Sequence, residues 1–124
     1  MGRQVMRLPA LALLVLCLSV PATAQTAWRD PVFVSGAVAA VMAPALDQAS
    51  TRYALDRGYH EANPIMRPVA GTATGYAVQA VITGAVVLLA ARLYPTYPKA
   101  ARMVVWLVAG ATVGVAMRNW SVAK

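Results

Sequence analysis

Apolar and polar positions fall into long blocks along this chain rather than into the short periods of a soluble fold. Nearly uncharged runs cover Leu8 to Val20, Val32 to Leu46, Ala73 to Tyr94 and Ala100 to Met117, and the charged residues gather between them. Runs approaching or exceeding 18 apolar residues predict membrane helices, because about 20 residues at 1.5 Å each cross a hydrocarbon core ~30 Å thick. The expected fold class is therefore all-α, a small transmembrane bundle of about three helices after an N-terminal signal segment, with spans near 32–55, 73–94 and 100–118.

The first run differs in kind from the other three. Arg3 and Arg7 precede 13 apolar residues, followed by Pro21 and the small triplet Ala22-Thr23-Ala24. This is the basic, apolar and small-residue order of a secretory leader, and its apolar part, ~20 Å long, is too short to span. Cleavage after Ala24 is expected, giving a leader over 1–24 and a membrane domain over 25–124; retention as an anchor helix is the alternative. Cys17 follows Leu16, which does not suit a lipoprotein acceptor.

In the first span the apolar part ends at Leu46, so the helix crosses only if it continues through Asp47 and Thr51 to about Leu55. Steps of three and four put Gly36, Ala40, Ala43, Asp47, Thr51, Ala54 and Gly58 on one stripe. Small residues let helices approach closely in lipid, whereas a carboxylate at a helix centre costs ~2.5–3.5 kcal/mol on insertion scales. Asp47 is thus expected to face protein. Gly75, Gln79 and Thr83 form a matching stripe on the second span, where Gln79 can hydrogen-bond Asp47 or Thr51. On the third, Gly110 and Gly114 make a G-x-x-x-G pair suited to helix packing within the chain or between copies.

Composition sharpens this picture. The chain has 124 residues, 60% of them apolar and 12% charged. Eleven basic against four acidic residues give a net charge of +7. The basic residues flank the apolar runs, as topology and headgroup attraction require, so no nucleic-acid partner is expected. A leader-directed start places the mature N-terminus in the periplasm and the C-terminus in the cytoplasm of a bacterial inner membrane. Basic residues support this orientation narrowly, with Arg52, Arg57, Arg67, Arg118 and Lys124 inside against Arg29, Arg92, Lys99 and Arg102 outside.

Candidate chemistry concentrates between Asp47 and Arg67. Gly58 suits a helix C-terminus, and Glu61 with Asn63-Pro64 suits a turn built by side-chain to backbone hydrogen bonds. Asp56 and His60 are four apart, but the chain has a single histidine and Gly58 falls between them, so no metal site and no cofactor are expected. No nucleophile and base pair stands out, so no catalytic residue is assigned and an enzyme is not the favoured class. Gly71-Thr72-Ala73-Thr74-Gly75 lacks the lysine of a phosphate loop.

The series Asp47-x-x-x-Thr51-x-x-x-Leu55-x-x-Gly58-x-x-Glu61-x-Asn63-Pro64, with two apolar helices after it, resembles small bacterial integral membrane proteins that carry a domain of unknown function. The resemblance implies a helical membrane fold and no reaction. It also implies a basic residue early in the second helix, where this chain has Gln79. The functional candidates are Asp47, Thr51, Gly58, Glu61, Asn63, Pro64 and Gln79, and the packing candidates Gly36, Ala40, Ala43, Gly110 and Gly114. The leading expectation is a structural or interaction component of the membrane, whose partners are the bilayer and either further copies or another membrane protein. The alternatives are a subunit of a small-solute or ion transporter using Asp47, and an intramembrane enzyme using Asp47 and Glu61.

Overall fold

The computed structural model describes residues 22–123. Of the leader assigned to 1–24, only the last three residues fall within this range, where they open a short 3₁₀ helix, Ala22–Arg29. Three long helices follow: α1, Pro31–Leu55; α2, Ala73–Leu93; and α3, Pro98–Val122. Among the described residues there is no strand. Each of the three is long and apolar enough to cross a membrane. Their outward faces carry Val38, Met42, Ile82, Leu89, Leu107 and Met117, all exposed. In water such faces would be unstable, and lipid is the solvent that suits them.

Local chemistry sets the ends of α1. Asp30 accepts a hydrogen bond from the Val32 N–H at 3.1 Å, and Pro31 occupies the first turn, where its missing N–H costs nothing. At the other end Tyr59 N–H reaches the Ala54 carbonyl and Gly58 N–H the Leu55 carbonyl. With Gly58 at φ +86°, this is a Schellman ending, which needs a residue that tolerates the left-handed region. Thr72 caps α2 by accepting from Gly75 N–H. The 94–97 turn then reverses the chain, and Pro98 starts α3.

α1 is the central element. Phe33, Gly36, Ala37, Ala40, Ala43, Pro44, Asp47, Gln48, Ser50, Thr51 and Ala54 are buried, a double stripe that faces α3 on one side and α2 on the other. The opposing stripe of α3 is Ala101, Val105, Ala109 and Ala116. α1 and α3 run parallel, and small residues let them approach closely. A Cβ on Gly36 would sit 2.7 Å from Val105 Cγ2, and Trp106 Nε1 donates to the Val32 carbonyl at 3.0 Å. Gly110 and Gly114 are different: both lie on the exposed side of α3, with open space where a Cβ would stand. Within the chain they make no helix contact, because the inward face of α3 is the one that carries Ala109, a turn of about 100° away.

At the N-terminal end of α1 the bundle is closed. Phe33 is fully buried between Trp28 and Tyr94, edge-on to both, with ring centroids 5.4 and 5.5 Å apart. Asp30 Oδ2 accepts from Arg102 Nε at 2.5 Å and from the Tyr94 hydroxyl at 2.7 Å. One carboxylate thus joins the starts of α1 and α3 to the end of α2. Burial pushes the Asp30 carboxyl up, but the hydrogen bonds from Arg102, Tyr94 and Val32, with the Arg102 charge, outweigh it and hold the group below its ordinary value.

Candidate functional site

The polar half of α1 engages both neighbours. Toward α2, Gly71 N–H donates to Gln48 Oε1 at 2.7 Å, Gln48 Nε2 to Gln79 Oε1 at 2.8 Å, and Gln79 Nε2 to Asp47 Oδ2 at 2.6 Å. Each amide orientation follows from this network, and the chain of donors ends on the carboxylate, so every bond polarises the next toward it. Toward α3, Asn119 Nδ2 lies 3.2 Å from Ser50 Oγ and 3.3 Å from Thr51 Oγ1. The Ser50 hydroxyl itself donates to the Asp47 backbone carbonyl at 2.8 Å.

The 71–75 glycines exist for the first of these networks. A Cβ on Gly71, at φ +70°, would meet the Arg52 backbone at 3.0 Å, and one on Gly75 would collide with the Val69 carbonyl and Gln48 Oε1. Only a chain without side chains there brings α2 close enough for Gln79 to reach Asp47.

Asp47 is 7% exposed, and its second oxygen, Oδ1, is buried with no partner among the described residues. A carboxylate offers about four acceptor positions, and this one has a single side-chain donor. Its position is roughly 12 Å along the axis from Leu55 at 1.5 Å per residue. Leaving a buried polar atom unsatisfied is costly, so capacity of this kind is where a ligand is expected.

Asp47 lines a cavity of about 350 Å³ between the three helices. Gln48 and Thr51 of α1, Gln79 of α2 and Asn119 of α3 share its wall, while Glu61 and Asn63 border it on the loop side. Thus Asp47, Thr51, Glu61, Asn63 and Gln79 come together. Gly58 and Pro64 do not reach the cavity: Gly58 serves the helix ending, and Pro64 is exposed in the turn. That turn is held by its own side chains, with Glu61 Oε1 accepting from Asn63 N–H at 2.9 Å and Asn63 Oδ1 from Ile65 N–H at 3.0 Å.

The electrostatics are one-signed. Among the described residues two carboxylates line the cavity and no Lys, Arg or His does. Arg52 is paired with Asp56 at 3.0 Å on the surface, and Arg67 Nε donates to the Glu61 carbonyl rather than to its carboxylate. Among the described residues no three His, Cys, Asp or Glu side chains lie together as metal ligands.

Sequence reasoning passed over Gln48, Asn119 and the Asp30–Arg102–Tyr94 clasp. Asn119 was within reach of the pattern, since Ala109, Thr112, Ala116 and Asn119 follow one another in steps of three and four on α3. The clasp had no such signal, because its partners lie 64 and 72 residues from Asp30.

The fold and cavity define the class: a small multi-pass helical membrane protein with a polar, acidic cavity among its helices. No family model matches the chain, and no curated protein or solved structure matches it.

Proposed function

We propose that this protein binds a small cation at Asp47, as the ion-binding subunit of a larger solute- or ion-moving assembly in the bacterial inner membrane. The observation that carries this reading is the buried Asp47 Oδ1, unpartnered among the described residues, on a cavity whose charged lining groups among those residues are two carboxylates. Ionisable groups inside membrane bundles mark ion and substrate paths, and a cation is what supplies the missing partner here. Three helices are too few to enclose a full pathway, which is why the reading includes further copies or another membrane protein. The cleaved leader, the periplasmic N-terminus and the cytoplasmic 56–72 loop belong to the same proposal.

A purely structural role is favoured by a different observation, the hydrogen-bond chain from Gly71 to Asp47 and the Asn119 bonds, which bolt α1 to both neighbours. Asp47→Asn separates the two. The amide oxygen still accepts from Gln79, so the bolt survives while the charge is lost. The test is thermal unfolding of the purified protein in detergent at constant ionic strength, with sodium, potassium or methylammonium set against bulky N-methylglucamine. Selective stabilisation of wild type, about 2.7 kcal/mol at a hundredfold excess over Kd, is expected to vanish in Asp47→Asn. Equal responses in the two proteins would leave only the structural role.

A further inference from the structure

We propose that the Asp47 cavity opens to water on one side of the membrane only, the side of the 56–72 loop and the C-terminus, through a passage in which Glu61 selects for cations. The proposal rests on the cation-binding reading for its purpose, though its geometry stands apart from it.

Three clefts meet at the loop end. The cavity at Asp47 shares Thr51, Glu61 and Asn119 with a second cleft of about 410 Å³ that extends past Tyr59 and His60 to Val122. A third, of about 380 Å³, runs from Glu61 to His60 and Arg67. Glu61 alone lies on all three among the described residues, and the Asn63 N–H bond fixes its carboxylate at that junction. The Tyr59 hydroxyl donates to the Val122 carbonyl at 2.5 Å, which places the loop and the end of α3 on the same side.

The opposite direction is shut. Between Asp47 and Asp30 the α1 interface consists of Ala43, Ala40, Ala37 and Phe33, each at most 4% exposed, packed with the fully buried Val105 and with Ala109. Beyond them stands the Asp30–Arg102–Tyr94 clasp. That seam is dry and closely packed. The cleft of about 170 Å³ between α2 and α3 in the same half, lined by Val86, Leu89, Ala90, Leu93, Ala101 and Val104 among others, is wholly apolar and shares no lining residue with the Asp47 cavity, so neither offers ions a path.

Charge at the mouth is mixed, because Arg118 lines the outer cleft and Arg67 the third. Glu61 is the acid set among them, and without it the passage to Asp47 begins at basic groups. Clefts lined by one sign of charge change encounter rates by about tenfold or more, and a single acid set among basic groups contributes a smaller part of that.

The test is thiol labelling of single-cysteine variants, in a Cys17→Ser background, in sealed vesicles of both orientations sorted by a C-terminal tag. Thr51→Cys is the reporter, Thr112→Cys on the α3 wall of the same cavity repeats the measurement, and Ala37→Cys probes the closed half. Membrane-impermeant cationic and anionic methanethiosulfonates are expected to modify Cys at 51 and 112 only when the tagged side faces the reagent, and to leave position 37 unmodified. In Glu61→Gln, which keeps the bond from Asn63 N–H, the cation-to-anion rate ratio at position 51 is expected to fall by about threefold or more. Labelling from both sides, from the untagged side alone, or from neither at both reporters would overturn the one-sided passage, and an unchanged rate ratio in Glu61→Gln would overturn the selecting role. Because labelling reads water access and thermal stabilisation reads cation affinity, each proposal can fail while the other stands.

Discussion

Asp30 caps the start of α1 and Asp47 lies inside its polar half, and their surroundings are opposite. Asp30 has both oxygens occupied, one by Val32 N–H and the other by Arg102 and Tyr94, and a guanidinium balances its charge. Asp47 has one oxygen held by Gln79 and, among the described residues, no partner for the other and no cationic side chain in its cavity. The first aspartate is consumed by the fold. The second is held in place by the fold and left with binding capacity. What separates an architectural acid from a candidate ligand-binding one is the count of donors and counter-charges around it, and neither count is visible in the residue type.

Changes at the acidic end are expected to have the largest effects on folding, because its geometry depends on close backbone approach. Gly75→Val should destabilise the bundle by about 3 kcal/mol through collision with Val69 and Gln48. Thermal unfolding in detergent measures this, and near-wild-type stability would show that α2 does not need that approach. Gln79→Leu should cost about 2 kcal/mol, since it strips the one side-chain donor from Asp47 and the acceptor from Gln48. A neutral result there would mean that the polar chain contributes nothing to holding α1 against α2.

At the closed end the expected signature is a pH dependence. The folded-state value of Asp30 is lowered, so the clasp contributes fully above the ordinary carboxylate range and loses its contribution as pH falls through the lowered value. Melting curves of wild type should therefore converge on those of Asp30→Asn in acid and separate toward neutrality. A constant gap between the two would remove the charge from the account of that end. The smallest effect is expected on the outer face of α3: Gly110→Ala, with open space around it, should not destabilise the single chain and should gain at most about 1 kcal/mol from helix propensity. A loss instead, seen only at high protein-to-detergent ratio, would mark that face as a contact between copies.

Much of the bundle was legible before any coordinates. The stripe from Gly36 to Ala54 and its Gly75, Gln79 and Thr83 counterpart follow from helical periodicity, and the two stripes meet at Gln79 and Asp47. Gly58 was readable as a helix ending because few residues other than glycine take that backbone conformation cheaply. The Gly110 and Gly114 pair pointed to a contact that the single chain does not make, since a spacing motif identifies a face without saying which neighbour it meets. Glu61 and Asn63 read as turn formers, and the turn is there, but their place on the Asp47 cavity depends on where the loop returns over α1. Asp30 offered no clue, because its partners belong to other helices and only the parallel packing of α1 on α3 brings Arg102 to it.

That long separation has a consequence for biosynthesis. A chain elongating on the ribosome presents Asp30 some 72 residues before its counter-ion. Until α3 is translated, Asp30 has no guanidinium, the small-residue face of α1 has no cover, and Ser50 and Thr51 wait for Asn119. A translation product that stops after α2 therefore differs from the finished protein in the features that membrane quality control can sense, an unmatched acid and an open helix face. Arrival of the last helix both completes the fold and erases the marks of incompleteness, so premature termination is expected to yield a degraded product rather than a two-helix remnant.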